Sequence, residues 1–337
     1  MDLTPSPIQE HLLSEISAFV KEQLPLKRLH GDIAAESAHL RAFGELGWLG
    51  MSLPETLGGA GFCLADEALL CRELGRALGP VSLLAAALAA RIAHAADRPC
   101  PLDILSGEAV VAIACPTAAV NIAQPNAQMR LFANGAPSYA VLVSAHGCAL
   151  LQISRDADLR PLPCLEPSVT MLEASLSTEA LVVRAEGDAL WAGVLTLIAA
   201  TTVGMAEGAR DLIAEYAKVR QTFGRPIGAY QAVRHPIAEM AARCEQAYTQ
   251  TMFAALTAEN ARPDAVSHAI AARFLAQQAA TKNADGCIQL HGGIGVTDEY
   301  DAHLFMKRAS LTALFAGGLR PLLDDIIERP LLGISGE

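Results

Sequence analysis

The 337-residue sequence has few aromatic residues, few charged residues and no cluster of basic residues. Phe, Trp and Tyr make up 5% of the chain, and its formal net charge is −11. A nucleic-acid partner is not expected, because such partners are bound by concentrated Lys and Arg. The eight cysteines are scattered without a Cys-x-x-Cys pair, so no metal site and no thioredoxin-like redox pair is predicted.

Long hydrophobic runs are also scarce, and one segment needs a membrane test. Ala189 to Ala206 contains 18 consecutive uncharged positions, the lower limit for a membrane span. It includes three Thr and two Gly and has no basic flank, so we predict a buried core helix and no membrane. The N-terminal residues lack the basic region and apolar core of a signal peptide, so we expect a cytoplasmic protein.

Apolar residues recur at helical spacing near both ends of the chain, and short β-prone runs fill its middle. Helices are predicted at about 8–24, 40–49, 64–78, 81–96, 190–220, 231–259, 265–290 and 301–327. The region between 110 and 183 predicts a small antiparallel β domain. The fold class is α+β, with an N-terminal helical domain (1–105), a shortened middle β domain (106–186) and a C-terminal four-helix bundle (187–337).

Two segments of the predicted bundle suit a phosphate-rich ligand. Arg220 ends a helix that Gly224 breaks, so a planar guanidinium can form paired hydrogen bonds with a diphosphate. Gly292 and Gly293 expose backbone N–H groups and let a phosphate chain approach closely. Either feature alone is usually a simple helix end, since many helices finish with glycine.

The stretches around these residues carry a family resemblance. YAKVRQTFGRPIGAYQAVRHPIAEMAARC (216–244) and GCIQLHGGIGVTDEYDAHLFMKRA (286–309) resemble the flavin-binding signatures of acyl-CoA dehydrogenases, and LGWLGMSLPETLGGAGF (46–62) resembles their N-terminal turn. The resemblance implies the acyl-CoA dehydrogenase fold, FAD as cofactor and an acyl-CoA as substrate. It also implies FAD contacts from seven residues: Arg220, Thr222, Phe223, Gln231, Gln289, Gly292 and Gly293. In the family's tetramers such residues reach the ADP half of an FAD held mainly by the neighbouring subunit.

Acyl-CoA dehydrogenation needs a carboxylate that removes the weakly acidic α-proton of the thioester. Most members of the family supply a Glu near the C-terminus, and the matching position here falls on Ala316 or Gly317. The other position that the family uses falls near Val194, in a segment without an acid. We therefore predict that this chain contains no catalytic base.

Acidic residues elsewhere in the bundle are alternatives for the base. Glu207 is the candidate base if this chain catalyses dehydrogenation alone. We expect Glu207 instead to be an exposed acid on the surface of a helix. A solvated helix face is predicted for Asp324, Asp325 and Glu328.

The middle region also departs from the family pattern. Full-length members are several tens of residues longer and cover the isoalloxazine with a Thr-Glu-Pro loop, a Gly-Ser-Asp loop and a Trp-Ile-Thr-Asn segment. Here the region reads AIACPTAAVNIAQPNAQM, in which only Cys115-Pro116-Thr117 resembles that pattern. The chain thus retains the half-site that it would lend to a neighbour and lacks the half-site that it would use itself.

These features favour one subunit of a heteromeric acyl-CoA dehydrogenase, in a hetero-oligomer (dimer or tetramer) with a second acyl-CoA dehydrogenase-like subunit. Two alternatives remain open. A flavin monooxygenase on the same fold needs no α-proton base but does need an intact isoalloxazine site. A non-catalytic scaffold that binds acyl-CoA or a partner would carry no flavin.

Other distinctive residues are interpreted as structural. His291 has no neighbouring acid in the sequence, so we expect it to pack rather than to act as a base. Pro236 is expected to kink a helix or to lie in its first turn. Core positions are predicted for Trp48, Trp191, Tyr300 and Phe305, with the adenine end of FAD as the alternative for the last two.

Overall fold

The computed structural model describes residues 3–31, 36–118, 121–122 and 127–329. A helical N-terminal region leads into a β region, which is followed by a long helical C-terminal region. The N-terminal helices are α1 (Pro7–Gln23), α2 (Ala38–Glu45), α3 (Leu64–Arg76), α4 (Val81–Ala95) and the short α5 (Leu102–Leu105). The four longer ones confirm the helices predicted there, within a few residues at most ends.

Local sequence explains where the N-terminal helices begin. Ser6 and Gln9 form a capping box at the start of α1, in which each side chain binds the other residue's backbone N–H, and Pro7 is the first helical residue. At the start of α3, the Asp66 carboxylate accepts the Cys63 N–H at 3.0 Å. These bonds satisfy N–H groups that the first turn of a helix leaves without partners.

The middle region forms one seven-stranded sheet. Its strands are β1 (Val111–Pro116), β2 (Ala127–Ala133), β3 (Tyr139–Ser144), β4 (Gly147–Gln152), β5 (Arg160–Leu162), β6 (Thr170–Leu176) and β7 (Leu181–Ala185), in the order β5-β6-β2-β1-β3-β4-β7. Five of the six neighbouring pairs are antiparallel. The prediction of a purely antiparallel sheet is wrong for β1 and β3, which pair in parallel. β2 occupies one edge of β1, so β3 pairs with the opposite edge and runs in the same direction as β1.

The two faces of this sheet pack into different cores. Val111 and Ile113 of β1 join the core shared with the helices, whereas Ala112 and Ala114 belong to a second apolar cluster within the β region. The alternation follows from the two-residue period of a strand. One face of the sheet is therefore fixed against the helical regions.

The C-terminal region contains α6 (Asp188–Val219), a two-stranded hairpin of β8 (Gln221–Thr222) and β9 (Arg225–Pro226), α7 (Gln231–Glu259), α8 (Ala265–His291), α9 (Ala302–Thr312) and α10 (Leu319–Glu328). The first three predicted bundle helices are confirmed. The prediction of one helix over 301–327 is wrong, because the chain breaks between α9 and α10. Ala316, Gly317 and Gly318 have φ values of 57°, 82° and 83° there, and two of the three are glycine, which adopts this conformation at little cost.

Helix α6 lies in the core against α3, and glycines let the two backbones touch. A Cβ added to Gly75 would lie 1.8 Å from the Thr201 carbonyl oxygen, and one added to Gly204 would lie 1.8 Å from that of Arg72. α6 is long and apolar enough to cross a membrane, but 94% of its most apolar window is buried inside the protein. The prediction of a core helix at Ala189 to Ala206 is confirmed.

A buried ion pair ties the three regions together. Arg308 of α9 is 1% exposed and donates to Glu166, in the loop between β5 and β6, at 3.1 Å. It also donates to the Gly79 carbonyl between α3 and α4 at 2.6 Å. Such a pair is stable only when its remaining hydrogen-bonding groups are satisfied, so it fixes how the regions dock. The domain boundaries at 105 and 186 stay predictions.

Candidate functional site

The first of the two predicted FAD-binding segments forms a tight hairpin after the end of α6. Phe223 and Gly224 occupy the tip with φ values of 49° and 79°, as a two-residue type I′ turn requires. Phe223 is 96% exposed, so an aromatic ring stands in solvent on a backbone conformation that a bulky residue rarely adopts. Strain of this kind is typical of positions retained for binding.

The second motif follows the last residue of α8. Gly292 has φ 70° and begins a short 3₁₀ helix, Gly292–Val296. A Cβ added to Gly293 would meet no atom within 4 Å, so open space surrounds its backbone. The local shape lets a ligand approach the main chain.

Three aromatic rings bring the two motifs together. Tyr216, one turn before the end of α6, lies 4.4 Å from His291 at the end of α8, and Tyr300 lies 4.8 Å from His291 (centroid distances). Gln231 is the first residue of α7 and is separated from the hairpin by a short 3₁₀ turn, Ile227–Ala229, and Tyr230. All seven residues of the predicted FAD contact set therefore lie at one end of the bundle, and all seven are exposed.

The polar members of this set have hydrogen-bonding capacity to spare. Within the described residues, the side chains of Arg220, Thr222, Gln231 and Gln289 form no hydrogen bond or ion pair. A forked guanidinium, two amides and a hydroxyl beside an open glycine backbone match the acceptors of a diphosphate and its ribose. The donor set fits the ADP half of FAD, and the assignment of these residues to FAD stays a prediction.

A second feature lies where the sheet meets the α9–α10 turn. A pocket of about 280 Å³ is lined by Cys115, Pro116, Thr117, Arg130, Phe132, Leu314, Gly317 and Gly318. Its volume is at the low end for ligand pockets. The rings of Phe132 and Phe315 lie 5.9 Å apart beside it. The pocket lies between Cys115-Pro116-Thr117, which resembles the loop that covers the isoalloxazine, and Gly317, which occupies one of the positions expected for the family's base.

Among the residues that the structure describes, no proton acceptor of suitable strength lines this pocket. Its lining residues include no carboxylate, and the position expected for the base is Ala316, which is 6% exposed, or Gly317. Burial raises the pKa of the Cys115 thiol to about 12, so the thiol stays protonated at neutral pH. Val194, the other candidate position, is fully buried in α6.

The expectation that Glu207 is an exposed helix acid is wrong. Its carboxylate is 3% exposed and binds Arg72 at 2.7 and 2.8 Å and Arg76 at 2.7 Å. Burial alone would raise the pKa of Glu207, but the bonds and charges of the two arginines outweigh it and hold the pKa below its usual value. A carboxylate held in this way is a poor proton acceptor, so Glu207 is a structural residue.

The predicted positions of His291 and of the three acidic residues of α10 agree with the structure, apart from that of Asp325. His291 is buried, and its Nδ1 donates to the Cys287 carbonyl at 2.7 Å. Asp324 and Glu328 are exposed, as predicted, while Asp325 is partly buried and pairs with Arg329 at 3.1 Å.

The aromatic and proline predictions have mixed outcomes. Trp191 and Phe305 lie in the core as predicted, and Trp48 packs at its edge against Phe43. Tyr300 is partly buried beside the flavin motifs. Pro236 lies in the second turn of α7 rather than the first.

Sequence reasoning missed two residues of the hairpin. The Arg225 guanidinium lies 4.1 Å above the Tyr230 ring, and the Tyr230 hydroxyl donates to the Thr222 carbonyl at 2.9 Å. Arg225 and Tyr230 both follow Gly224 and lie five positions apart, and this spacing is the only signal that the sequence offers. It was too weak to recognise without the fold.

Comparisons with known proteins address the family directly. Residues 6–97 match the family described as "Acyl-CoA dehydrogenase, N-terminal domain", and residues 196–331 match "Acyl-CoA dehydrogenase, C-terminal domain". The chain is 32% identical to acyl-CoA dehydrogenase IpdE2 of Mycobacterium tuberculosis over 85% of each protein. The chain belongs to the acyl-CoA dehydrogenase family.

A second relative and two solved structures show the extent of the similarity. Acyl-CoA dehydrogenase FadE34 of M. tuberculosis is 33% identical over 81% of this chain, which spans only 39% of FadE34. The crystal structure of the ChsE4–ChsE5 complex from M. tuberculosis is 21% identical with a TM-score of 0.78, covering 98% of this chain and all of the other. The structure of a glutaryl-coenzyme A dehydrogenase is 19% identical with a TM-score of 0.80, covering 97% of this chain and 96% of the other, which confirms the fold predicted from the sequence.

Proposed function

We propose that this chain is one subunit of a heteromeric, FAD-dependent acyl-CoA dehydrogenase that introduces an α,β double bond into a CoA thioester. The chain completes the FAD site of a second, related subunit in the cytoplasm. That subunit holds the isoalloxazine and supplies the catalytic carboxylate. FAD, when bound, supplies the acceptor for the hydride removed from the substrate's β-carbon.

The observation that carries this proposal is a contrast between two sites. At the bundle end, exposed Arg220, Gln231 and Gln289 have no partner among the described residues. At the junction of sheet and bundle, the pocket beside Gly317 is small, and none of its described lining residues carries a carboxylate. A chain that retains nucleotide-binding groups but lacks a base is what a division of labour between unlike subunits would require.

The residues of this chain would bind and orient FAD rather than react. Arg220 suits paired hydrogen bonds to the diphosphate, while Gly292 and Gly293 allow the phosphates to reach backbone N–H groups. Proton abstraction would require a carboxylate of the partner within reach of the substrate α-carbon. A solved structure with the same fold is a complex of ChsE4 with ChsE5, which supports a partner for this chain.

Co-expression with a related chain that retains the family's Glu tests the proposal. We expect acyl-CoA-dependent reduction of an artificial electron acceptor by the complex, and its loss when the partner's Glu is changed to Gln. The change Asp324→Asn in the exposed face of α10 should leave the rate unchanged. Turnover by this chain alone would contradict the proposal.

The same experiment separates the two alternatives. A colourless complex that binds acyl-CoA without turnover would favour the scaffold. An oxygen-dependent hydroxylated product, without the unsaturated thioester, would favour the monooxygenase.

A further inference from the structure

The hairpin that carries the first flavin motif has little packing of its own. It contains only two residue pairs, Gln221 with Pro226 and Thr222 with Arg225. One backbone bond closes its base, from the Ile227 N–H to the Arg220 carbonyl at 2.8 Å. A short two-stranded hairpin is marginally stable in water, so side chains elsewhere must hold it in one conformation.

Tyr230 contacts both strands of this hairpin. Its hydroxyl donates to the Thr222 carbonyl of β8 at 2.9 Å, and its ring faces the Arg225 guanidinium of β9 at 4.1 Å. Tyr230 itself is fixed because it is the N-cap residue immediately before α7, and its carbonyl accepts the N–H groups of Val233 and Arg234. The hairpin is thus tied to a long helix through one side chain.

The two contacts of Tyr230 also explain how the strained conformation at the hairpin tip can persist. Phe223 has φ 49° and is 96% exposed, so its own side chain contributes little packing to offset the strain. The hydroxyl bond fixes the carbonyl immediately before Phe223, and the cation–π contact fixes the residue after Gly224. Both ends of the turn are restrained by Tyr230.

We infer that Tyr230 and Arg225 form a lock that positions the hairpin, and with it Arg220, Thr222 and Phe223, before the nucleotide binds. The inference rests on the proposed function for the identity of the ligand, FAD, but the lock is a property of this chain alone. Tyr230 is a positioning residue: it need not touch FAD, and it would raise the affinity by removing the need to order the hairpin on binding.

Hydrogen exchange measured by mass spectrometry tests the lock on the isolated chain. Tyr230→Phe removes one hydrogen bond and keeps the ring, so we expect roughly fivefold faster exchange in residues 220–229. Tyr230→Ala removes both contacts and should accelerate exchange about twentyfold. The matched control is Tyr248→Phe, because the Tyr248 ring also faces a guanidinium, that of Arg72 at 4.4 Å, but lies far along α7. Unchanged exchange in both Tyr230 variants would overturn the lock.

Titration with FAD, on the chain with and without a related subunit, gives the functional result. We expect the dissociation constant to rise about tenfold in Tyr230→Ala and less in Tyr230→Phe, with the melting temperature unchanged. Equal affinity in wild type and Tyr230→Ala would overturn the positioning role. If the wild-type chain binds no FAD in either form, the proposed function fails, while the exchange result still decides whether the lock exists.

Discussion

Tyr216 and His291 stack with their ring centroids 4.4 Å apart and thereby join the end of α6 to the end of α8. The contact places the hairpin motif beside the Gly292-Gly293 motif, although about 70 residues separate them in the sequence. His291 therefore has a packing role next to a candidate binding surface. A substitution at His291 can therefore distinguish a packing role from a role in proton transfer.

His291→Phe should retain FAD binding and activity in the complex, because the ring packs and does not transfer protons. Burial lowers the pKa of His291, so the folded protein takes up its proton at lower pH than the unfolded chain does. The stability that this group contributes is present above the unfolded pKa of about 6.5 and is lost as pH falls through the folded value. The wild type should therefore lose more unfolding free energy between pH 7 and pH 5 than His291→Phe, as measured by urea denaturation. A large loss of turnover in the variant would assign His291 a catalytic role.

Arg220→Lys tests whether a planar fork is needed at the hairpin. Lysine keeps the charge but offers a point donor, so we expect FAD affinity to fall by roughly tenfold to a hundredfold, equivalent to about 1.4–2.7 kcal/mol. Isothermal titration of the complex measures this change. Arg262→Lys, in the α7–α8 connection at the opposite end of the bundle, is the matched control and should bind FAD normally. Equal losses in the two variants would remove Arg220 from the site.

Two glycine substitutions should separate ligand binding from folding. Gly293→Ala places a methyl group in open space, so stability should be unchanged while FAD affinity falls about tenfold, or about 1.4 kcal/mol. Gly204→Ala drives a Cβ against the Arg72 carbonyl and should destabilise the protein by about 3 kcal/mol or more. Thermal melting and FAD titration of both variants give the comparison. A destabilised Gly293→Ala would show that this backbone packs against protein rather than facing a ligand.

Glu207→Gln should damage stability rather than chemistry. The substitution leaves Arg72 and Arg76 without their shared counter-ion, which typically costs about 3–5 kcal/mol. Asp211→Asn is the matched control, since Asp211 pairs with Arg76 at 3.3 Å but its side chain is 41% exposed, and it should cost less than about 1 kcal/mol. Chemical denaturation measures both values. The opposite pattern, in which the folded Glu207→Gln protein is inactive in the complex, would restore Glu207 as a candidate base.

The pH dependence of the same variant gives an independent check. The pKa of Glu207 lies below its usual value in the folded state, so its contribution is present above the unfolded pKa of about 4.3 and is lost as pH falls through the folded value. The unfolding free energy of the wild type should therefore fall as the pH decreases through the folded pKa of Glu207. Glu207→Gln should lack this decrease.

Sequence alone predicted the elements whose signals are local. α1 carries a cap at Ser6 and a helical repeat of apolar residues, and the predicted start at residue 8 lies one residue from the observed Pro7. The acyl-CoA dehydrogenase fold followed from motif resemblance rather than from periodicity. The exposed cluster at the bundle end, which contains Arg220 and Gln289, could be anticipated for the same reason.

The errors concern features that depend on distant parts of the chain. The burial of Glu207 depends on Arg72 and Arg76, more than 130 residues earlier in the sequence. The parallel pairing of β1 with β3 is decided by strand order. The break near Ala316 had a signal in Gly317-Gly318, but the apolar repeat on both sides favoured a continuous helix.

The number of FAD molecules bound by the complex with a related subunit decides whether the two chains share one flavin site. Absorbance of the bound flavin, combined with native mass spectrometry, gives the number of FAD molecules for each pair of unlike chains. We expect one FAD per pair, because we propose that the pocket of about 280 Å³ between Cys115 and Gly317 binds no flavin ring. Two FAD molecules per pair, or a yellow assembly of this chain alone that oxidises acyl-CoA, would contradict it.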